Sequence, residues 1–364
     1  MGESEGIFLL FLVVGLCIVF DYINGFHDTA NAIATVVSTN VLPPRTAVLM
    51  AGMFNFVGAF LGTKVAKTIG GDIAQAQLIT QTVIAAALTG AIVWNLLTWY
   101  FGIPSSSSHA LVGGLCGAVI TAQIFEVGLS SRVWGAFVAS TPDHPNGVVT
   151  TIKFLVISPL VGFFGGFVIM VLLTWLARGL APSRVNKTFR ALQLLSSGSM
   201  ALSHGSNDAQ KAMGIVTLAC VSYYTKVSPR GDLPEWLAPN GHVEIPLWAK
   251  VVCATAIGFG TAAGGWRIMK TMGHKIIKLK PIHGFAAETA GALVIQGATH
   301  MFGAPVSTTH VISSAIMGVG ASKRVSAVKW GIAGNILVAW VLTIPISCVV
   351  AGVCYVALRP VLGK

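Results

Sequence analysis

Charged residues are scarce in this chain. They make up 10% of its 364 residues, whereas an ordinary soluble domain carries about a quarter. Hydrophobic residues make up 54%, and many of them lie in runs long enough to cross a bilayer. This composition excludes a soluble globular domain and predicts an all-α polytopic membrane protein.

Cysteine motifs are also lacking. No CxxC spacing occurs, and the six cysteines stand singly in apolar segments, so we predict small core residues and no disulfide framework. The first apolar run follows Glu3 and Glu5 instead of basic residues, and no A-x-A site comes after it. We therefore expect this run to be a retained membrane span and not a cleaved signal.

Acidic residues number 12 against 23 basic ones, which gives a formal net charge of +11. A basic excess is also typical of nucleic-acid-binding proteins. Here the basic residues lie in short loops between apolar runs, and no basic arm or groove-binding motif is present. We expect these residues to orient the protein in the lipid bilayer, and we expect no nucleic-acid partner.

Four polar residues stand inside an apolar segment, and a similar set occurs in the second half. The first quartet is Asn24, His27, Asp28 and Asn31, and the second quartet is His204, Asn207, Asp208 and Lys211. Each set steps i, i+3, i+4, i+7, which places it on one face of a helix. A charge inside a membrane helix is costly and normally faces a bundle interior, so both quartets are candidate functional sites. The alternative is that each aspartate is neutralised by a neighbour and only fixes helix packing.

Each quartet also contains a glycine, Gly25 or Gly205. The apolar stretch around the first quartet, residues 7–41, is longer than the ~20 residues that cross a bilayer. We therefore predict that these two helices break or unwind inside the membrane.

Two segments rich in serine and threonine lie between pairs of apolar arms. The first tip is GIPSSSSHA, residues 102–110, and the second tip is GAPVSTTHV, residues 303–311. We predict that each is the turn of a re-entrant helical hairpin. His109 and His310 are interpreted as capping or packing residues.

The order of features is the same in both halves: a quartet helix, a glycine-rich span, a hairpin and a span containing Pro159 or Pro345. We interpret residues 1–183 and 184–364 as two repeats. Each crosses the membrane three times and adds a hairpin that returns to its own side, so the second repeat is inverted. Inverted repeats are typical of secondary transporters.

Alternating the loops across the membrane separates the charges. One side receives only basic residues, namely Arg45, Arg178, Arg184, Lys187, Arg190, Arg267, Lys270, Lys275, Lys278, Lys280, Lys323, Arg324 and Lys329. The other side receives basic and acidic residues in similar numbers. The positive-inside rule makes the first side cytoplasmic and places both termini outside.

Broken helices and hairpin tips offer backbone N–H groups at helix N-termini, which favour an anion. Aromatic platforms and arginine clamps are missing, so a tetrahedral oxyanion fits better than a sugar or an amino acid. Asp28 and Asp208 would lie beside that anion. A like-charge pair at ~4 Å costs roughly 4 kcal/mol at an effective dielectric of 20, so cations must enter with the anion. The predicted substrate ligands are Asp28, Asn31, Ser105, Ser106, Ser107, Asn207, Asp208, Ser307, Thr308 and Thr309.

A co-bound proton, Na⁺ or divalent metal would neutralise this repulsion. Transport of the anion would then be coupled to transport of that cation. The predicted coupling residues are His27, Asp28, Asp208, Lys211 and Glu288. Glu288 is either a proton site or a buried partner for Lys211. Asp21 is expected to bond only to backbone freed by the helix break. We assign no metal ligands and expect no organic cofactor.

Four motifs now carry a family resemblance: GFHDTANA, GSNDAQKA, PSSSSH and PVSTTH. Together, and in this order, they resemble the inorganic phosphate transporter (Pit) family over nearly the whole chain. The resemblance implies phosphate as substrate, two inverted repeats, a homodimer, and phosphate held between the broken helices and the hairpin tips.

The sodium-type members have a pattern similar to GANDVAN in both halves. His27 replaces the first asparagine here, and Lys211 replaces the last asparagine of the second copy. With these two replacements the chain is more similar to the bacterial proton-linked branch of the family, which lies in the inner membrane. Members of that branch carry phosphate as a neutral complex with a divalent metal. Sodium coupling is the alternative mechanism.

Two other functional classes share parts of this pattern. An anion channel would use similar polar rings, and accumulation against a gradient would distinguish a carrier from it. An intramembrane hydrolase would use a serine of the first tip with His109. No GxSxG elbow is present, and catalysis does not require a duplicated set, so we predict that the protein is not an enzyme.

Overall fold

A computed structural model describes residues 3–71, 73, 78–129, 137, 147–228 and 232–362. This part of the chain is almost entirely helical. Its α-helices are α1 (Glu3–Ser38), α2 (Pro44–Gly58), α3 (Lys64–Gly71), α4 (Gln81–Phe101), α5 (Ser107–Val127), α6 (Gly147–Leu176), α7 (Pro182–Lys226), α8 (Leu247–Ala263), α9 (Trp266–Lys270), α10 (Pro281–Phe302), α11 (Thr308–Lys323) and α12 (Trp330–Leu362).

Five of these helices are long and apolar enough to cross a membrane, namely α1, α4, α5, α6 and α12. A sixth candidate is the pair formed by α8 and α9, which is bent by 57°. The outer faces of α6 and α12 expose large apolar side chains, as lipid contact requires. The prediction of an all-α polytopic membrane protein is confirmed.

The quartet helices α1 and α7 are continuous, with 36 and 45 residues. The predicted break in them is wrong. A methyl group on Gly25 would lie 2.5 Å from the carbonyl oxygen of Ile257, and one on Gly205 would lie 2.5 Å from the Cα of Asn55. These glycines permit close helix crossing, which does not require the backbone hydrogen bonds to open.

The interruptions lie in the glycine-rich spans instead. Helix α2 ends at Gly58, and α3 begins only at Lys64. Helix α8 ends before Gly264, whose φ of 80° lies in the left-handed region and does not continue a helix. The glycine-rich span predicted in each half is therefore followed by a short second helix that sequence reasoning missed.

Both tips form the predicted turn between two helical arms, while the re-entrant course of the hairpins stays a prediction. Gly102 and Gly303 end their first arms with φ values of 65° and 60°. Ser106 and Ser307 then cap the second arms, because their hydroxyls accept hydrogen bonds from the backbone N–H groups of His109 and His310 at 3.2 Å.

Each tip is held by the short helix of the other half. Lys64 of α3 donates to the carbonyl oxygen of His300 at 2.7 Å. In the same way, Arg267 of α9 donates to the carbonyl oxygen of Tyr100 at 2.5 Å. Thr68 and Thr271 donate to the carbonyl oxygens of the two hairpin glycines, both at 2.9 Å.

Two apolar cores flank the quartets. The first contains Phe20 and Ile215, and the second contains Ile33 and Met200. Helix α1 therefore passes from the first core to the second, while α7 passes from the second to the first. This opposite course supports inverted repeats, but the inversion and the division at residue 184 remain predictions.

Candidate functional site

The two quartets meet where α1 and α7 pass between the cores. One ligand atom from each of Asp28, His204 and Asp208 lies within 4.8 Å of the others. The fold thus brings together two acidic residues that are far apart in the sequence. All members of both quartets are buried, namely Asn24, His27, Asp28, Asn31, His204, Asn207, Asp208 and Lys211.

Asp28 is linked to both hairpin tips. Its Oδ1 atom lies 2.6 Å from His27 Nδ1 and accepts a hydrogen bond from Thr309 Oγ1 at 3.4 Å. His27 Nε2 lies 3.1 Å from Thr98 Oγ1 and 3.4 Å from Ser105 Oγ. His27 therefore connects the carboxylate to the base of the first tip, while the second tip contacts the carboxylate directly.

Asp208 has a stronger set of positive and polar partners. The Lys211 ammonium donates to its Oδ1 atom at 2.5 Å. Its Oδ2 atom lies 3.2 Å from His204 Nε2 and 3.5 Å from Thr308 Oγ1. A buried carboxylate is costly unless it is paired, and this ion pair supplies the compensation.

The Lys211 ammonium also joins the two tips. It donates to the hydroxyl of Ser108 and, at 3.1 Å, to the carbonyl oxygen of Val306. Ser108 was not predicted, because nothing in the SSSS run distinguishes it from its neighbours. The alternative that Glu288 is the buried partner of Lys211 is wrong, since Asp208 takes that place.

The asparagines of the quartets bind the second hairpin. Asn31 Nδ2 donates to Thr308 Oγ1 at 3.1 Å and to Thr309 Oγ1 at 2.9 Å. Asn207 Nδ2 donates to Thr299 Oγ1 at 2.7 Å. The Oδ1 atoms of both asparagines are buried and have no partner among the described residues.

The predicted hydroxyls differ in their availability. Ser106 and Ser307 are used as helix caps. Ser107 is buried, and its hydroxyl has no partner in the described part of the chain. The first turns of α5 and α11, together with Ser107, can therefore present N–H and O–H donors to an anion. The donors expected from broken quartet helices do not exist, because those helices are continuous.

The model of the phosphate transporter family matches residues 24–351.

The chain belongs to the phosphate transporter family.

Its curated relatives agree. A protein of Rhizobium meliloti (strain 1021) is 46% identical over 96% of each chain, and one of Bacillus subtilis (strain 168) is 44% identical over 96% of this chain and 97% of its own. Both are named "Probable low-affinity inorganic phosphate transporter". This phosphate transporter family member is a transporter and not an enzyme.

A solved structure has the same fold. It covers 97% of this chain and 99% of its own with a TM-score of 0.79, at 24% sequence identity, and is titled "The sodium-dependent phosphate transporter". At this identity the match establishes the architecture of the family member and does not assign its coupling ion.

Glu288 forms a separate polar cluster in this phosphate transporter family member. Its carboxylate accepts hydrogen bonds from Thr35 and Ser196, and from Gln193 Nε2 at 3.1 Å. The side chain is fully buried. The cluster joins α1, α7 and α10, one helical turn beyond Asn31 on α1. Glu288 is thus held near the site and does not contact the quartets directly.

Asp21 has an unusual environment. It is fully buried, and neither carboxylate oxygen makes a hydrogen bond of ordinary geometry among the described residues, although the Asn24 side chain lies beside the carboxylate. The charges of Asp208 and Lys211 act on it. The expectation that Asp21 bonds to freed backbone is wrong, because α1 does not open.

The tip histidines stack on each other. The rings of His109 and His310 lie 4.9 Å apart with 25° between their planes, and Trp340 stacks on His310 at 3.9 Å. Trp340 Nε1 also donates to the carbonyl oxygen of Pro104 at 3.2 Å. This column packs the two tips together, in agreement with the packing interpretation of both histidines.

Asn55 is a site residue that the sequence did not indicate. Its Oδ1 atom lies 2.9 Å from His204 Nδ1, and its Nδ2 donates to Thr261 Oγ1 at 2.8 Å. It therefore orients the histidine that faces Asp208. A single asparagine in an apolar span has no sequence signal that separates this role from ordinary helix packing.

Proposed function

We propose that this protein imports inorganic phosphate by proton symport and that phosphate enters as a complex with a divalent metal. Membership of the phosphate transporter family and the names of its relatives support the substrate. The observation that carries the mechanism is the position of the Lys211 ammonium, which bonds Asp208 and both hairpin tips.

Phosphate would bind between the quartets and the tips. The donors are the hydroxyls of the predicted ligands, the first backbone N–H groups of α5 and α11, and the Lys211 ammonium. Tetrahedral oxyanions suit such a set, because each oxygen accepts several charge-assisted hydrogen bonds.

The charge balance supports a metal and a proton. Two carboxylates and one ammonium leave a net negative charge before the doubly charged hydrogen phosphate enters. A divalent metal on the phosphate leaves one negative charge in the loaded site, and one proton on an aspartate or on His27 neutralises it. Asp28, His204 and Asp208 offer two carboxylate oxygens and a ring nitrogen within 4.8 Å, a donor set that divalent ions accept.

Sodium coupling has less support. The sodium-type family pattern has an asparagine at the position of Lys211, and here an ammonium lies 2.5 Å from Asp208. This ammonium supplies the positive charge that a sodium ion would otherwise bring to the carboxylate.

We place the protein in the bacterial inner membrane, with the basic loops in the cytoplasm and both termini outside. The assembly as a homodimer remains a prediction from the family resemblance.

The test is phosphate uptake into proteoliposomes in which the pH gradient, the Na⁺ gradient and the divalent metal are varied independently. Uptake should follow an imposed pH gradient, ignore Na⁺ and increase with Mg²⁺. Wild-type uptake that follows Na⁺ and ignores the pH gradient would contradict the proposal.

The matched variant for this test is Lys211→Asn. Because it removes the fixed positive charge beside Asp208, proton-driven uptake should be lost. Ser108→Ala is the control, since it removes only one neutral partner of the ammonium and should retain proton coupling. A Lys211→Asn protein with unchanged pH-driven uptake would show that the ammonium has no part in coupling.

A further inference from the structure

Two adjoining cavities lie at the end of the bundle formed by α6, α10 and α11, away from the quartets. The larger has a volume of about 590 Å³ and is lined in part by Arg178, Lys280, His283 and Lys323. The smaller has about 310 Å³ and shares His283 and Lys323 with the first. Together they form one region, which we name the basic pocket.

The basic pocket is strongly cationic. The smaller cavity adds Lys278, Arg324 and Lys329 to its wall. Every charged residue that lines either cavity is basic. The structure places no carboxylate within ion-pair distance of these side chains in the part of the chain that it describes. A concave wall of one sign, with no internal counter-charge, attracts an anion.

The larger cavity also opens on an apolar surface. Leu172 and Trp175 of α6 line it and are 53% and 62% exposed. These residues belong to the outer face of a helix apolar enough to span the bilayer. Tryptophan is enriched at the level of the lipid headgroups, where its ring is half in hydrocarbon.

A ligand for this pocket must therefore combine an anionic group with hydrocarbon chains. All the basic residues of the pocket also belong to the side of the protein that carries only basic loop residues. Basic pockets between helices on the cytoplasmic side bind anionic headgroups. Free phosphate shares the headgroup chemistry, but it has no use for Leu172 and Trp175.

We propose that the basic pocket binds an anionic phospholipid, with the phosphate headgroup among Arg178, Lys280 and Lys323 and an acyl chain along Leu172 and Trp175. The lipid joins the end of α6 to both arms of the second hairpin. Lys280 directly precedes α10 and Lys323 ends α11, so the headgroup lies at the base of the hairpin that carries Thr308 and Thr309. This proposal does not depend on the coupling ion.

The experiment titrates the delipidated full-length protein with phosphatidylglycerol or with phosphatidylcholine of the same chains, and native mass spectrometry counts the bound lipids. We expect phosphatidylglycerol to bind at least tenfold more tightly. The double variant Lys280→Gln, Lys323→Gln should lose roughly tenfold or more of that affinity, because each basic residue near the headgroup contributes. Equal binding of the two lipids to the wild type would overturn the proposal.

The matched control is Arg184→Gln, Lys187→Gln. Both residues are exposed near the start of α7, on the same predicted side, and neither lines the pocket. This variant changes the net charge equally and should keep the preference for phosphatidylglycerol. An equal loss in both double variants would mean that only the general surface charge matters, which overturns a specific site.

Two further arms separate the sources of the phosphate group. Inorganic phosphate should not displace the bound lipid, and displacement would identify the pocket as a binding site for free phosphate instead.

Trp175→Ala should weaken the binding of both lipids by a similar factor, because it removes a contact with the acyl chain and no charge. Unchanged binding in Trp175→Ala would overturn the lipid as occupant. Should the Lys280→Gln, Lys323→Gln protein fail to melt like the wild type, Arg178→Gln provides the same comparison with a single exposed residue.

Discussion

Lys211 shows how a single side chain can serve both halves of the molecule. Its ammonium bonds a carboxylate of its own helix, a hydroxyl of the first hairpin and a carbonyl oxygen of the second. Any change that moves a tip must therefore alter the hydrogen bonds of Lys211. In the proposed symport mechanism, Lys211 would connect substrate binding to the position of both tips.

Asp28→Asn and Asp208→Asn should each reduce phosphate uptake to background while the protein stays folded and inserted. The substitution keeps the shape of the side chain and removes the charge that pairs with a cation, and an intramembrane charge without a function would not be retained at such cost. Uptake by purified variants in proteoliposomes is the measurement, with thermal melting as the control for folding. Near-normal uptake by either variant would remove that aspartate from the mechanism.

The tip hydroxyls should separate into two groups. Ser107→Ala and Thr308→Ala should raise the phosphate KM by about two- to tenfold, because a neutral hydrogen bond contributes about 0.5–1.5 kcal/mol. Ser106→Ala should also lower the melting temperature, since its hydroxyl caps α5 and a lost cap costs about 1 kcal/mol. Uptake kinetics and thermal melting measure the two effects. An unchanged KM in both Ser107→Ala and Thr308→Ala would place the substrate elsewhere.

For single residues, the sequence identifies the candidate site residues better than it identifies their hydrogen-bond partners. The quartets were found because polar residues at helical spacing are conspicuous in an apolar run. Asn55, Thr98 and Ser108 were missed, because each acts through a contact with a residue distant in sequence. Glu288 was found, but its partners Thr35 and Ser196 were not.

Among the elements, the turns of the two hairpins were predicted well, and the continuity of the quartet helices α1 and α7 was not. Gly102 and Gly303 precede a proline and a hydroxyl run, which is a strong local signal for a turn followed by a cap. Gly25 and Gly205 carry no local signal that separates a break from a close crossing. Only the neighbouring backbone at Ile257 and Asn55 decides the matter, and it belongs to another helix.

The crossing glycines give a prediction about stability. Gly25→Ala and Gly205→Ala should each destabilise the protein by about 1–3 kcal/mol, because the added methyl group overlaps the backbone of the crossing helix. Gly15→Ala is the matched control in the same helix as Gly25, since nothing lies within 4 Å of the added carbon. It should leave stability unchanged or raise it by up to about 1 kcal/mol. Thermal melting in detergent measures all three, and equal melting of Gly25→Ala and Gly15→Ala would refute the crossing argument.

For the whole molecule, the inverted arrangement predicts which loops face which side. In a background without the six native cysteines, Glu244→Cys should react with an impermeant maleimide added to intact cells from which the outer membrane has been removed. Arg45→Cys follows the first quartet helix as Glu244→Cys follows the second, and it should react only after the cells are opened, because the positive-inside rule retains its basic loop in the cytoplasm. Both positions are exposed, so a difference in labelling reports the side of the membrane and not the burial of the residue. Labelling of both residues from the same side would refute the inversion.

The helix crossings also affect how the protein is made. Gly25 of α1 packs on α8, Gly58 of α2 on α7, and Gly117 of α5 on α12, so the first half is built to lie against helices of the second. A ribosome adds about 5–20 residues per second, so the first half must wait for roughly 10–40 seconds before its partner surfaces exist. During that interval Asp28 lacks its contact with Thr309, and the glycine faces of the first half are covered only by lipid or by the insertion machinery. We therefore expect the nascent chain to be most exposed to quality-control proteases during this interval. The exposure arises from the same helix crossings between the two halves that bring the quartets together.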